Sequence, residues 1–209
     1  MGGMGESGEI ERAEKIERAE EILRFWFGDP ADRAGEYGQQ RQVWFKKDAA
    51  FDETIRRRFG ADHGRAERGE LAAWRGQPRS CLALVVLLDQ FSRNLFRGEA
   101  RSFGCDRTAL ATANYALERG YDQQVLPVER MFFYLPLEHS ENLADQDRSV
   151  ALVQALDAAH PGFASTLDYA LRHREVIRRF GRFPHRNTIL GRPTTPEEAE
   201  FLRQPGSRF

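Results

Sequence analysis

The stretch PRSCLALVVLLDQFSRNLFR, residues 78–97, restricts the fold of this 209-residue chain more than any other. From Cys81 through Leu88 every position is apolar. On a helix such a run points apolar side chains in all directions, so it requires neighbours on every side. Pro78 suits a helix's first position, where no amide donor is needed, and neither proline nor glycine recurs before Gly98. A buried parallel strand would also carry an apolar run, and β-branched Val85 and Val86 favour one locally. The chain lacks the repeated strands and glycine-rich turns of a parallel sheet, so the run is read as the central helix of an all-α fold.

The polar residues that follow give this helix a second character. Four residues advance about 400° on an ideal helix, which puts Asp89, Arg93 and Arg97 nearly on one side. Asp89 is then within reach of Arg93, Arg97 lies a turn further, and Gln90 and Asn94 form an adjacent ladder of amides. Phe91 and Leu95 anchor another side in the core. The plain reading is a solvated helix end with one ion pair. The sharper reading is anion recognition: Arg93 and Arg97 present planar donor arrays to a carboxylate or phosphate, Asp89 holds one guanidinium, and Gln90 or Asn94 orients the ligand.

Apolar periodicity predicts further helices on both sides. From about Glu9, Ile16, Ala19, Leu23 and Trp26 recur at three to four residues until Gly28-Asp29-Pro30 stops the pattern, with the packed part starting near Ile16. Phe51, Ile55 and Phe59 mark a helix over 48–59, and the three glycines of ADHGRAERGELAAWRGQ leave only a short helix near 71–74. Leu110, Ala113 and Leu117 share a face that Gly120 caps, and Pro127 starts a helix disturbed at Pro136. Ser140 caps a helix carrying Val150, Val153 and Leu156, and Phe163, Leu167, Ala170, Ile177 and Phe180 line the next. Thr195, Pro196 and Glu198 form a capping box. Seven to nine helices follow, arranged as an irregular right-handed array of antiparallel helix pairs. Residues 16–209 read as one helical domain behind a polar, partly disordered extension, residues 1–15.

Composition excludes several classes. The chain is 41% hydrophobic and 30% charged with a net charge of −1, so neither a nucleic-acid nor an acidic-membrane partner is expected. Its longest apolar run is far below the roughly 20 residues that span a bilayer, and the acidic start is unlike a secretory signal. Cys81 and Cys105 read as buried free thiols of a cytoplasmic protein. Phosphate-loop, dinucleotide-turn, zinc-helix and nucleophile-elbow motifs are absent from the sequence. Ser92 has no local histidine to act as its base and reads as a helix-end hydroxyl.

Two later segments concentrate polar groups. ERMFFYLPLEHSEN places Glu129, Tyr134, Glu138, His139 and Glu141 close in sequence, but neighbours Glu138 and His139 diverge by about 100° on a helix and form no ready chelate. LRHREVIRRFGRFPHRN carries His173, Arg174, Arg178, His185, Arg186 and Asn187. A ligand set of Glu138, His139 and His173 has no supporting spacing, so neither metal nor cofactor is expected.

ILRFWFG, the Trp44-Phe45 pair, LLDQFSRNLFR, ERMFFYLPLEHSE, RHREVIRRFGRFPHRN and LGR occur in an order that resembles the bacterial domain of unknown function family 924. The resemblance runs from about Ile16 to Leu202. It implies a helical fold similar to tetratricopeptide superhelices and a polar site of Asp89, Gln90, Arg93, Asn94, Glu138, His139, His173, His185, Arg186 and Asn187.

The leading functional expectation is a groove that binds a small anionic molecule or an acidic peptide end through the Asp89, Arg93 and Arg97 ladder, with Arg174 joining Arg93 at its mouth. A hydrolase or phosphoryl-transfer enzyme in the same cleft is the alternative, drawing its proton acceptor from Glu138, His139 and His173 with Arg93 and His185 stabilising negative charge. The third is a scaffold or homo-oligomer using Trp26, Phe27, Trp44 and Phe45.

Overall fold

The computed structural model describes residues 3–32 and 34–207, with side chains described from residue 13 onward. These residues form helices and turns and contain no strand. The α-helical segments are α1 (Gly3–Phe27), α2 (Ala49–Glu67), α3 (Pro78–Val85), α4 (Ser92–Leu95), α5 (Asp106–Glu118), α6 (Pro127–Glu138), α7 (Leu143–Ala159), α8 (Ala164–Phe180) and α9 (Pro196–Phe201). A π turn, Val86–Phe91, joins α3 to α4 without a break, so α3, the turn and α4 are one rod. The expected N-terminal extension overlaps α1. Its first two residues, and its side chains through residue 12, lie outside the described residues.

Every residue from Cys81 to Ser92 is buried, as an apolar run in all directions demands. The neighbours are α1, α5 and α6 against α3, and α2 against the π turn and α4. From α5 to α8 each helix packs on the next. Only residues 139–142 separate α6 from α7 and 160–163 separate α7 from α8, so these pairs run antiparallel. Consecutive pairing is thus a property of the C-terminal half; in the N-terminal half α1 and α2 both spend their main contacts on the central rod.

Several local expectations are corrected. Asp48 caps α2, accepting from the Ala50 and Phe51 amides, but the helix runs past Phe59 through Gly60 and Gly64 to Glu67. Two interior glycines cost about 1 kcal/mol each. Burial of Asp62, His63 and Ala66 on the added turns offsets this. Likewise α6 continues through Pro136, because every residue from Met131 to Glu138 is buried and that packing outweighs the lost amide bond. Asn142 rather than Ser140 caps α7, accepting from Ala144 N at 2.8 Å. The buried stripe of α5 is Ala109, Thr112, Ala113 and Ala116, with Leu110 and Leu117 half-buried beside it. Small side chains on that stripe let α5 approach α3 and α6 closely.

The capping box of α9 is as expected: Thr195 Oγ1 accepts from Glu198 N at 3.2 Å, and Glu198 Oε2 accepts from Thr195 N at 2.8 Å. Thr195→Ala should cost about 1 kcal/mol in urea unfolding. A loss of only a few tenths would show that the box contributes little here.

The aromatic residues close the core. Phe132 meets Phe27 at 5.0 Å and Trp44 at 4.8 Å between ring centres, and Trp26 meets Phe91 at 5.4 Å. Trp44 Nε1 donates to the Trp26 carbonyl at 2.8 Å. Trp26, Phe27 and Trp44 are therefore core residues, while Phe45 is 65% exposed, so the expected four-residue aromatic contact surface does not exist. Cys81 and Cys105 are free and buried. Among the described residues no helix is long and apolar enough to cross a membrane.

Candidate functional site

The π turn carries the first site residues. A π turn adds one residue to a helical loop and shifts the side chains that follow, and such turns recur at functional sites. Here it buries Asp89 and Gln90 inside the rod's contact with α6. Asp89 still pairs with Arg93, Nη1 to Oδ1 at 3.2 Å. The third rung of the expected ladder is missing: α4 ends at Leu95, Phe96 leaves helical geometry, and Arg97 turns away to Asp52, 2.8 Å from each oxygen. Asn94 also donates to Asp52, at 2.7 Å. Arg97 and Asn94 therefore clamp α2 to the rod and do not join Asp89.

The end of α6 brings the second set to Asp89. His139 Nδ1 lies 2.8 Å from Asp89 Oδ1, and Gln90 Nε2 donates to Asp89 Oδ2 at 2.6 Å. Burial opposes ionisation of Asp89, yet the Arg93 charge and His139 outweigh it and hold the carboxyl well below the usual range. An ionised carboxylate only accepts, so His139 carries its proton on Nδ1 and keeps a lone pair on Nε2. Burial first, then the Arg93 charge, lowers the basicity of His139 and keeps the ring neutral near pH 7.

Behind this pair sits a sealed one. His173 Nδ1 is 2.9 Å from the Tyr169 carbonyl and 3.2 Å from Glu138 Oε1. A carbonyl only accepts, so Nδ1 bears the proton. The Glu138 contact has the distance of an ion pair without the charges: burial, then the Asp89 charge, pushes Glu138 up to about 8, and burial pulls His173 down to about 3. Both are neutral at pH 7. Burial likewise takes His185 down to about 4. Gln146 fixes the α6 end that presents these groups, donating to the carbonyls of Glu138 at 2.6 Å and Ser140 at 2.7 Å.

The late segment folds back over the cluster. Glu141 ties it down, accepting from Phe183 N at 2.8 Å and from both Arg192 Nη atoms at 2.7 and 3.0 Å. Arg186 is then held between the rings of Phe103 and Phe183, 4.6 and 4.4 Å from their centres. Its Nη2 donates to the His139 carbonyl at 3.1 Å, and its Nη1 lies 3.3 Å from Asp106 Oδ2. Arg93 Nη1 reaches the other Asp106 oxygen at 3.0 Å. Burial, then the Arg93 charge, brings Arg186 down to about 10, which still leaves it a cation. Arg93 Nη2 and Arg186 Nε are buried without a hydrogen-bond partner in the protein.

This cluster backs an open cleft of about 460 Å³ whose polar wall includes Asp106, Arg107, His139 and Arg186. Phe103, Leu110, Pro136 and Leu190 supply its apolar side. Asp89, Arg93, Glu138, His139, His173, His185 and Arg186 thus converge. Arg174 does not, since it pairs with Asp147 across α7 and α8. Asn187 serves the α9 latch, with its Nδ2 3.1 Å from Glu198 Oε2.

Sequence reasoning missed Asp106, whose place in a helix's first turn reads as an ordinary response to the helix dipole. It also missed that Ser92 has a histidine: His63 of α2 lies 2.8 Å from Ser92 Oγ. Because Ser92 donates to the Leu88 carbonyl at 2.7 Å, it accepts from His63, and this buried pair is a structural bond. Among the described residues no group of three or more His, Cys, Asp and Glu side chains is arranged to hold a metal ion.

Residues 22–206 match the profile of a bacterial protein family of unknown function, DUF924. The chain is also similar to the solved structure of a protein of unknown function from Agrobacterium tumefaciens, at 43% identity and a TM-score of 0.79, over 90% of this chain and 98% of the other. No curated protein matches.

Proposed function

The chain belongs to the bacterial DUF924 family, and from its own side chains we propose that it binds a small molecule through an anionic group in the cleft beside Arg186. One observation carries this reading. Two arginines from distant segments, Arg93 and Arg186, share the single carboxylate of Asp106, and each keeps a buried nitrogen with no partner in the protein. Leaving such a donor unmet costs about 1–3 kcal/mol, which a carboxylate or phosphate oxygen reaching Arg186 on the cleft wall would recover. Arg107, on the same wall, adds a cation at the rim. The apolar side of the cleft suits a ligand with a short hydrocarbon body. The packing of α5 to α8 supports a tetratricopeptide-like array as the frame, and the two free thiols suit a cytoplasmic setting.

The test is calorimetric titration at low ionic strength with inorganic phosphate and with butyrate. At least one should bind saturably. Arg186→Gln should weaken it by about 10- to 100-fold, the range for losing a charged hydrogen bond, while Arg174→Gln leaves it unchanged. Binding of neither anion, or equal affinity in a folded Arg186→Gln variant, would reject the reading.

A further inference from the structure

We propose that the cleft is also a hydrolytic site, in which His139, oriented by Asp89, is the general base that lets water attack the acyl carbon of an anionic ester or amide. The inference rests on the anion-binding reading and adds a reaction to it.

Three observations support it. Nδ1 of His139 is engaged by Asp89, so Nε2 is the ring nitrogen left for the cleft that His139 lines. A buried carboxylate behind a histidine fixes the tautomer and stabilises the imidazolium that forms when the ring takes a proton. The only hydroxyl on the described cleft wall is Ser140, and it donates to Asp145 at 2.6 Å. Water is accordingly the nucleophile. Arg186 is bonded to the His139 carbonyl and carries the unpartnered Nε, so a cation lies beside the base where negative charge would develop.

Acyl chemistry fits the charge better than phosphoryl transfer does. Arg93 and Arg186 already face Asp89 and Asp106, a balance of two against two. Beyond the substrate's own anionic group, a tetrahedral acyl intermediate adds one negative charge at the reacting centre, whereas a phosphoryl group concentrates more charge there. Glu138 and His173, the other expected proton acceptors, are 4% and 5% exposed and do not line the cleft. The role therefore moves to His139, with Asp89 as its positioning residue.

In the first step a water proton passes to His139 Nε2 as the water oxygen bonds to the acyl carbon, and the carbonyl pair moves onto its oxygen beside Arg186. In the second, that pair re-forms the carbonyl, the bond to the leaving alcohol or amine breaks, and the imidazolium proton goes to the leaving atom. The products are an acid and an alcohol or amine, with His139 restored and no redox change.

The probe is the mono(4-nitrophenyl) ester of adipic acid, with neutral 4-nitrophenyl hexanoate as comparator. The intact chain should release nitrophenol saturably and prefer the anionic ester. Its rate should rise with pH through a midpoint below the ordinary histidine value, as the lowered basicity of His139 requires. His139→Gln should lower kcat by about 100-fold or more while phosphate and butyrate bind as before. Asp89→Asn should also lower kcat, and Arg107→Gln should raise KM with kcat little changed. If the anions bind but nitrophenol release is no faster than in folded His139→Gln, hydrolysis is overturned and anion binding stands. If no anion binds, both readings fall.

Discussion

Asp89→Ala is expected to lower the stability of the folded chain by about 3–5 kcal/mol, the usual cost of removing one partner from a buried ion pair. Asp89 is 1% exposed and satisfies three groups, Arg93, His139 and Gln90. Its loss leaves Arg93 Nη1, which contacts both carboxylates, with Asp106 as its remaining anionic partner, and strands the Nδ1 proton of His139. Most of the effect is the cost of an uncompensated buried charge. Removing both charges in Asp89→Leu, Arg93→Leu should therefore be milder than the single change. Urea unfolding with an unaltered slope measures it. A single-variant loss below about 1 kcal/mol, or a double variant less stable than the single, would show that the buried pair contributes little to the fold.

The contrast between Asp89 and Arg97 explains what was legible in the amino-acid order. A helix carries a pattern of three and four residues, so the run from Cys81 to Leu88, the Thr195 capping box and the Asp89–Arg93 pair could be read directly. The π turn could not, because an extra residue in one hydrogen-bonded loop leaves the local apolar pattern intact. Arg97 was misplaced for a related reason: periodicity extends a ladder until something stops it, and α4 ends at Leu95, after which Arg97 pairs with Asp52 of α2, a partner distant in sequence. The convergence of Asp89, His139, His173 and Arg186 follows from no spacing. They come from four segments: α6 packs on the rod and α8 on α6, and Glu141 with Arg192 draws the late loop onto the end of α6; resemblance to the family grouped them where periodicity could not. Asp106 escaped because its helix-start position already had a sufficient local reason.

The second large effect is on the pH dependence of stability. Glu138 has its carboxyl raised from an ordinary 4.5 to about 8 by burial, then by the Asp89 charge. The folded state thus holds a proton over a pH range in which the unfolded chain has lost it. The associated stability is complete below about 4.5 and is lost as pH rises toward 8. His173 and His185 act in the opposite sense. Burial depresses them to about 3 and 4, so their contribution is complete above an ordinary histidine value of 6.5 and is lost as pH falls below it. Two histidines against one glutamate make stability rise with pH up to about 6.5 and fall from there to about 8. Other carboxylates add to the acid limb, but the alkaline limb between 6.5 and 8 belongs chiefly to Glu138. Glu138→Gln, which keeps the size and cannot ionise, should flatten that limb and make the variant more stable than the parent at pH 8, by on the order of 1–2 kcal/mol. Thermal unfolding from pH 5 to 8.5 tests this: a parent whose stability does not decline above pH 7, or a Glu138→Gln curve parallel to it, would mean that Glu138 ionises freely in the folded chain. Asp89 would then have a second buried carboxylate beside it, and the neutral Glu138–His173 pair behind His139 would be lost.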